Sequence, residues 1–227
     1  MSIIKGSVFG NDRKAFKRLV VLSLLLAAIC LMFAACDSHQ ASQNASQQQT
    51  VESDQATKPG YMIAIEKGDY ETALKELRPL AEKGDAEAQN KYAWMHAKAL
   101  GVSQNYEEAA KWWLTAANQG NAEAAYNIGV MHIKGEVFPK DSKKGIEWLR
   151  KSAEGGFALA QFDLAASLNE GALTQKDYPE AVRWYRKAAE QGYPAAQNSL
   201  GYMYDKGMGT KQNYDEALKW YRKAAEQ

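Results

Sequence analysis

Cysteine is almost missing from this chain: the 227 residues include two, Cys30 and Cys36, and both lie in or at the end of one apolar run near the N-terminus. What folds beyond that run must hold together without disulfides, even in an oxidising compartment. An excess of either charge is also missing, since 28 Lys and Arg face 27 Asp and Glu. Without residues 1–35 the balance becomes 23 basic against 26 acidic residues, which does not indicate a nucleic-acid surface. The sequence contains no Gly-x-x-x-x-Gly-Lys, His-Glu-x-x-His or Gly-x-Ser-x-Gly, each of which a phosphate, zinc or nucleophile mechanism needs at fixed spacing. An enzyme is therefore the weaker reading, and no cofactor or metal is called for. Beyond the tether described next, the period-2 alternation of strands never has room to appear, which leaves helices.

The N-terminus reads as an address. Lys5, Arg13, Lys14, Lys17 and Arg18 precede an apolar segment from Leu19 to Phe33, and small residues lead to Cys36. Residues 1–35 have the architecture of an export signal. The run of roughly 15 apolar residues is shorter than the ~20 that cross a bilayer comfortably. Phe33-Ala34-Ala35-Cys36 resembles the lipobox of bacterial lipoproteins, with Phe33 where Leu is usual. That resemblance implies lipidation at Cys36 and a membrane anchor, and Asp37 matches the position associated with inner-membrane retention. The residues themselves also fit ordinary cleavage after an Ala-x-Ala-like site. Residues 36–59 are Ser- and Gln-rich, with a single Val and no aromatic residue, and cannot bury enough surface to offset ordering entropy. They read as a flexible tether with a random-coil span of roughly 25–30 Å.

From Ala81 onward a 36-residue unit recurs four times without insertion or deletion, over 81–116, 117–152, 153–188 and 189–224. The matched positions are Gly84, Gly120, Gly156 and Gly192; Ala88, Ala124, Ala160 and Ala196; Ala109, Gly145, Ala181 and Ala217; Trp112, Trp148, Trp184 and Trp220. Each unit predicts two helices, A and B. Helix A starts after Asp85 or Asn121, or at Tyr193-Pro194, where proline's missing N–H does no harm. It stops at Gly135, Gly171 or Gly207, but at Ala99 in the first unit, where the turn is expected to be looser. Helix B opens with a capping box at Asn105 with Glu108, Asp177 with Glu180, and Asn213 with Glu216; Asp141 is followed by Lys144 and keeps half of it. Residues 60–80 read as a degenerate capping repeat, with Gly68-Asp69-Tyr70 and Ala73-Leu74 at helix-B positions.

Taken together, AEAQNKYAWMHAKALGVSQNYEEAAKWW and the spacing of PAAQNSLGYMYDKGMGTKQNYDEALKWYRKA resemble Sel1-like repeats, relatives of the tetratricopeptide repeat. The resemblance implies an all-α right-handed αα-superhelix that acts as a non-catalytic protein-interaction scaffold. Some cysteine-rich relatives have been described as binding or hydrolysing penicillins, which supplies the alternative of an enzyme active on cell-wall or β-lactam compounds. This chain lacks their paired cysteines. A purely structural envelope component is a third reading.

In related superhelices the helix-A row lines the concave surface, and that sets the expected partner-binding residues: Asn90, Tyr126, Phe162 and Asn198 at one level, and Trp94, Val130 and Tyr202 one turn on. Rings supply contact area cheaply in entropy and amides can hydrogen-bond a partner backbone. The competing reading is that several of these rings close the inter-repeat core. His96 and His132 share one repeat position, about 10 Å apart by helix packing distances, with Leu168 and Tyr204 at its other copies; packing is favoured there over metal ligation. Tyr202, Trp220 and Tyr221 form an apolar final pair, so end-to-end self-association or a partner at that end is expected.

Overall fold

The computed structural model describes residues 58–227. Cys30, Cys36, Asp37 and the signal segment lie outside the described residues. Among the described residues there are ten helices and no strand. They are α1 (Gly60–Glu66), α2 (Tyr70–Glu82), α3 (Ala86–Lys98), α4 (Tyr106–Asn118), α5 (Ala122–Lys134), α6 (Ser142–Glu154), α7 (Ala158–Glu170), α8 (Tyr178–Glu190), α9 (Pro194–Lys206) and α10 (Tyr214–Ala225). Each packs on the helix before it and the helix after it, which is the connectivity of a solenoid. No helix among the described residues is long and apolar enough to cross a membrane.

Local chemistry places the boundaries. Side-chain oxygens of Asp69, Asp85, Asn105, Asn121, Asp141, Asp177 and Asn213 each accept from the backbone N–H three residues on. Phe157 and Tyr193 stand at the caps of α7 and α9 without such a bond. The reciprocal half of the capping box is replaced by something else. The cap N–H groups of Asn105, Asp141, Asp177 and Asn213 already donate to helix-A carbonyls, those of His96, His132, Leu168 and Tyr204, at 2.8–3.0 Å. Two of the three box glutamates turn forward to a tryptophan instead, Glu108 accepting from the indole N–H of Trp112 at 2.6 Å and Glu180 from that of Trp184 at 3.2 Å, while Glu216 accepts from Lys219 at 3.3 Å.

The first helix-A turn also departs from expectation. Ala99 adopts the left-handed conformation, φ 57°, and its N–H donates to the Met95 carbonyl, so the turn matches those at Gly135, Gly171 and Gly207 rather than loosening. The i→i−4 closure is the same; the alanine Cβ carries the strain that glycine avoids, of order 1 kcal/mol.

Small residues set the spacing within pairs. Ala109, Ala181 and Ala217 are buried between their helices, and at Gly145 a Cβ would collide with Ile133 and the Gly129 carbonyl, so α5 and α6 approach backbone to backbone. Between the pairs, Leu77, Met95, Ile128, Leu164, Leu200 and Met203 are fully buried and form a core that runs along the array. Each such side chain contributes about 1.5–3 kcal/mol on leaving water. Trp220, expected at the exposed end, is buried at 4% exposure; Tyr202, Tyr214 and Leu218 are the large apolar groups left in solvent there.

Candidate functional site

The helix-A positions fall into three environments. Trp94 on α3 is half-buried and walls a cleft of about 360 Å³ with Met62 and Ile65 of α1, Lys91 and Glu123. Lys91 reaches Glu123 at 3.2 Å and Glu87 at 3.4 Å. Burial works against its charge, but the two carboxylates outweigh it and hold the lysine pKa above its ordinary value. Asn90 is 1% exposed and does not face solvent. Its Nδ2 donates to Glu123 at 2.8 Å, so it braces α3 against α5, while its Oδ1 has no partner.

Tyr126 and Phe162 occupy the middle. The Tyr126 hydroxyl donates to Asp163 of α7 at 2.8 Å and its ring meets Phe157 edge-on. Burial raises the Asp163 carboxyl above the usual carboxylate range, an effect the tyrosine bond partly offsets. Phe162 packs against Tyr185 and Tyr193. Val130 is half-buried. At the α9 end, Asn198 and Tyr202 are exposed and line a second cleft of about 240 Å³ with Asn169, Tyr185, Ser199 and Met203. Asn169 Oδ1 is buried there without a hydrogen-bond partner. The seven residues thus do not share one cleft: Trp94 lines the first, Asn198 and Tyr202 the second, and Asn90, Tyr126, Val130 and Phe162 line neither.

The sequence reading missed Met62 and Ile65, which sit in the short helix it treated as a cap, and the Lys91 and Asp163 position, which changes identity in every copy. His96 packs edge-on to Tyr92, and burial lowers its pKa. His132 stacks on Phe138 with ring centroids 4.6 Å apart. Among the described residues no group of three His, Cys, Asp or Glu could hold a metal ion.

An unbranched stack of helix pairs, closed by small residues at fixed period and exposing helix-A clefts, defines a helical-repeat scaffold. The chain belongs to the Sel1 repeat family: the Sel1 repeat matches residues 86–121, 122–157, 158–193 and 194–227. It is similar to the crystal structure of a Sel1 repeat protein from Oxalobacter formigenes, at 36% identity and TM-score 0.67 over 69% of this chain and 45% of that one. It is also similar to a protective antigen present in uropathogenic Escherichia coli strains that displays an SLR fold, at 35% identity and TM-score 0.63 over 67% of this chain and 33% of that one. This chain therefore spans less than half the length of either relative. No curated protein matches it. The fold is the right-handed αα-superhelix of these solenoids. Sel1 repeat proteins are generally protein-interaction scaffolds and typically not enzymes.

Proposed function

We propose that this chain is a non-catalytic scaffold that binds a peptide or protein partner on its concave helix-A face, displayed from a bacterial envelope membrane by a lipid on Cys36 and the tether of residues 36–59. One observation carries the binding reading: two clefts on helix-A residues each pair an accessible ring with hydrogen-bonding groups, Trp94 with Lys91 and Glu123, and Tyr202 with Asn169, Asn198 and Ser199. That combination suits a polypeptide, whose side chains seat against rings while its backbone takes the polar groups. Tyr126 and Phe162 hold the intervening surface in shape through Asp163, Tyr185 and Tyr193.

The test is a photo-crosslinking amino acid placed at Val130, beside Trp94 in the helix-A row, or at exposed Lys143 on α6, in the full chain in cells. A partner captured from Val130 and not from Lys143, and lost in Trp94→Ala with Tyr202→Ala at unchanged helicity, supports the face. Capture from Lys143 alone, or capture that survives the double substitution, overturns it. For the envelope placement, mass spectrometry of the mature N-terminus shows either diacylated or triacylated Cys36 or an unmodified end, and the second result removes the anchor.

A further inference from the structure

In three seams of the array a pair of glutamines fills one place. Gln89 of α3, Gln161 of α7 and Gln197 of α9 each donate Nε2 to a carbonyl at the end of the preceding helix-B, those of Ala81, Ala153 and Ala189, at 3.0, 3.0 and 3.2 Å. Each one's Oε1 in turn accepts from a glutamine thirty residues on, Gln119 at 2.7 Å, Gln191 at 2.8 Å and Gln227 at 3.1 Å. All three inner glutamines are buried. At the seam between α4 and α5 the same two positions hold Ala125 and Gly155.

A cleft of about 300 Å³ opens there, lined among others by Ala117, Gly120, Asn121, Ala125, Lys151 and Glu154. The Ala117 carbonyl corresponds to those of Ala81, Ala153 and Ala189. It keeps the backbone bond that each of the four accepts from the glycine three residues on, at 3.0–3.1 Å, and lacks the side-chain donor the other three have. The rim follows the period, since Lys151 and Glu154 match Lys187 and Glu190 and also Lys223 and Glu226. Besides Asn118 of the lining, which stands where the sister seams carry Glu82, Glu154 and Glu190, what differs is the missing pair. Position 155 leaves no room to restore its half, because a Cβ there would lie 2.8 Å from that of Ala122.

We propose that this cleft is a binding site for a primary carboxamide, the side chain of a glutamine carried by a partner polypeptide. The incoming group takes the place that Gln89, Gln161 and Gln197 fill in the sister seams. Its N–H₂ meets the Ala117 carbonyl, and Lys151 on the rim supplies a donor for its oxygen. A carboxylate has no N–H to give that carbonyl, and an aliphatic side chain leaves it without its second bond. The site stands apart from the helix-A clefts at Trp94 and Tyr202, so its failure and theirs are separately visible.

The experiment titrates the ¹⁵N-labelled full chain with acetyl-Ala-Gln-Ala-N-methylamide, and with the same peptide carrying Leu or Glu at the centre. The glutamine peptide is expected to give saturable amide shifts confined to Ala117, Gly120, Ala122, Ala125 and Glu154, at least about fivefold tighter than either control, the scale of one net hydrogen bond. Ala125→Gln, which supplies the carboxamide from within the chain, is expected to abolish those shifts and to raise the thermal midpoint. Should that variant lose helicity, Ala125→Leu fills the same volume and serves as the block. Equal shifts with all three peptides, no shift with the glutamine peptide up to its solubility, or undiminished binding to the blocked variant each overturns the proposal.

Discussion

Gln161→Ala isolates the glutamine staple at a seam where it is complete. The side chain is 4% exposed, donates to the Ala153 carbonyl at 3.0 Å and accepts from Gln191 at 2.8 Å. Two neutral hydrogen bonds are lost, each with a net contribution of about 1 kcal/mol. The Ala153 carbonyl keeps its bond from the Gly156 N–H, and Gln191 keeps the Gly156 carbonyl at 3.0 Å, so neither partner is left bare. The truncated methylene and amide also leave a void, which adds of order 1 kcal/mol. The expected total is about 2–3 kcal/mol. Urea melts followed by tryptophan fluorescence should show it as a lower midpoint at unchanged slope. Gln161→Ala combined with Gln191→Ala should cost about 1 kcal/mol less than the sum of the singles, because both remove the same bond. A loss below about 0.5 kcal/mol, or strictly additive singles, would refute the staple as a source of stability; it would then be a surface bond of the kind that water replaces without cost.

Three further outcomes are expected. Ala99→Gly should stabilise the array by about 1 kcal/mol in thermal melts by relieving the left-handed alanine, whereas the same change at exposed, helical Lys98 should destabilise it by a similar amount. Tyr126→Phe removes the donor to half-buried Asp163 and should cost about 1.5–3 kcal/mol near neutral pH. Asp163 has a raised folded pKa, so the stability it contributes is fully present below the ordinary carboxyl value and lost as pH rises through the folded one. Melts of Tyr126→Phe should therefore approach those of the parent as the pH is lowered to about 4, and an undiminished deficit there would show that the bond to the carboxylate is not the cause. Burial lowers the His96 pKa, so its contribution is present above the ordinary histidine value and lost as pH falls through the folded one; His96→Leu, the residue its copy Leu168 carries, should flatten the acid limb of stability below the ordinary histidine value.

The period made the helices legible because caps, glycines and small residues recur at the same place in every copy. The cooperation between units was harder to see. Comparing copies 36 apart groups Gln89 with Gln161 and Gln197, but the bond that matters joins each to a residue thirty further on, at the C-terminal end of the helix B it pairs with. Both members were in the sequence, and their joint replacement by Ala125 and Gly155 was the signal that they touch. The capping glutamates misled for a related reason: a local motif predicts a local bond, while the cap N–H groups had been taken by helix-A carbonyls. The Trp94 cleft was illegible because its far wall, Met62 and Ile65, comes from a helix of seven residues with little periodicity to read.

Positions where the copies agree close the stack, and any Sel1 array must satisfy them. Recognition of a particular partner has to come from positions released from that demand. Level 90/126/162/198 carries Asn, Tyr, Phe and Asn, and the structure shows that three of these four spend their variability on bracing: Asn90 to Glu123, Tyr126 to Asp163, Phe162 to Tyr185 and Tyr193. Variation alone therefore does not mark a contact residue. What separates Trp94, Tyr202 and the Ala125 cleft from the rest is that each varies and also leaves volume beside a hydrogen-bonding group. Double substitution of Trp94 and Tyr126 would mix a cleft wall with a brace. Trp94 with Tyr202 leaves all three braces in place, and because Trp94 also packs on the core, helicity read beside binding separates loss of binding from loss of folding.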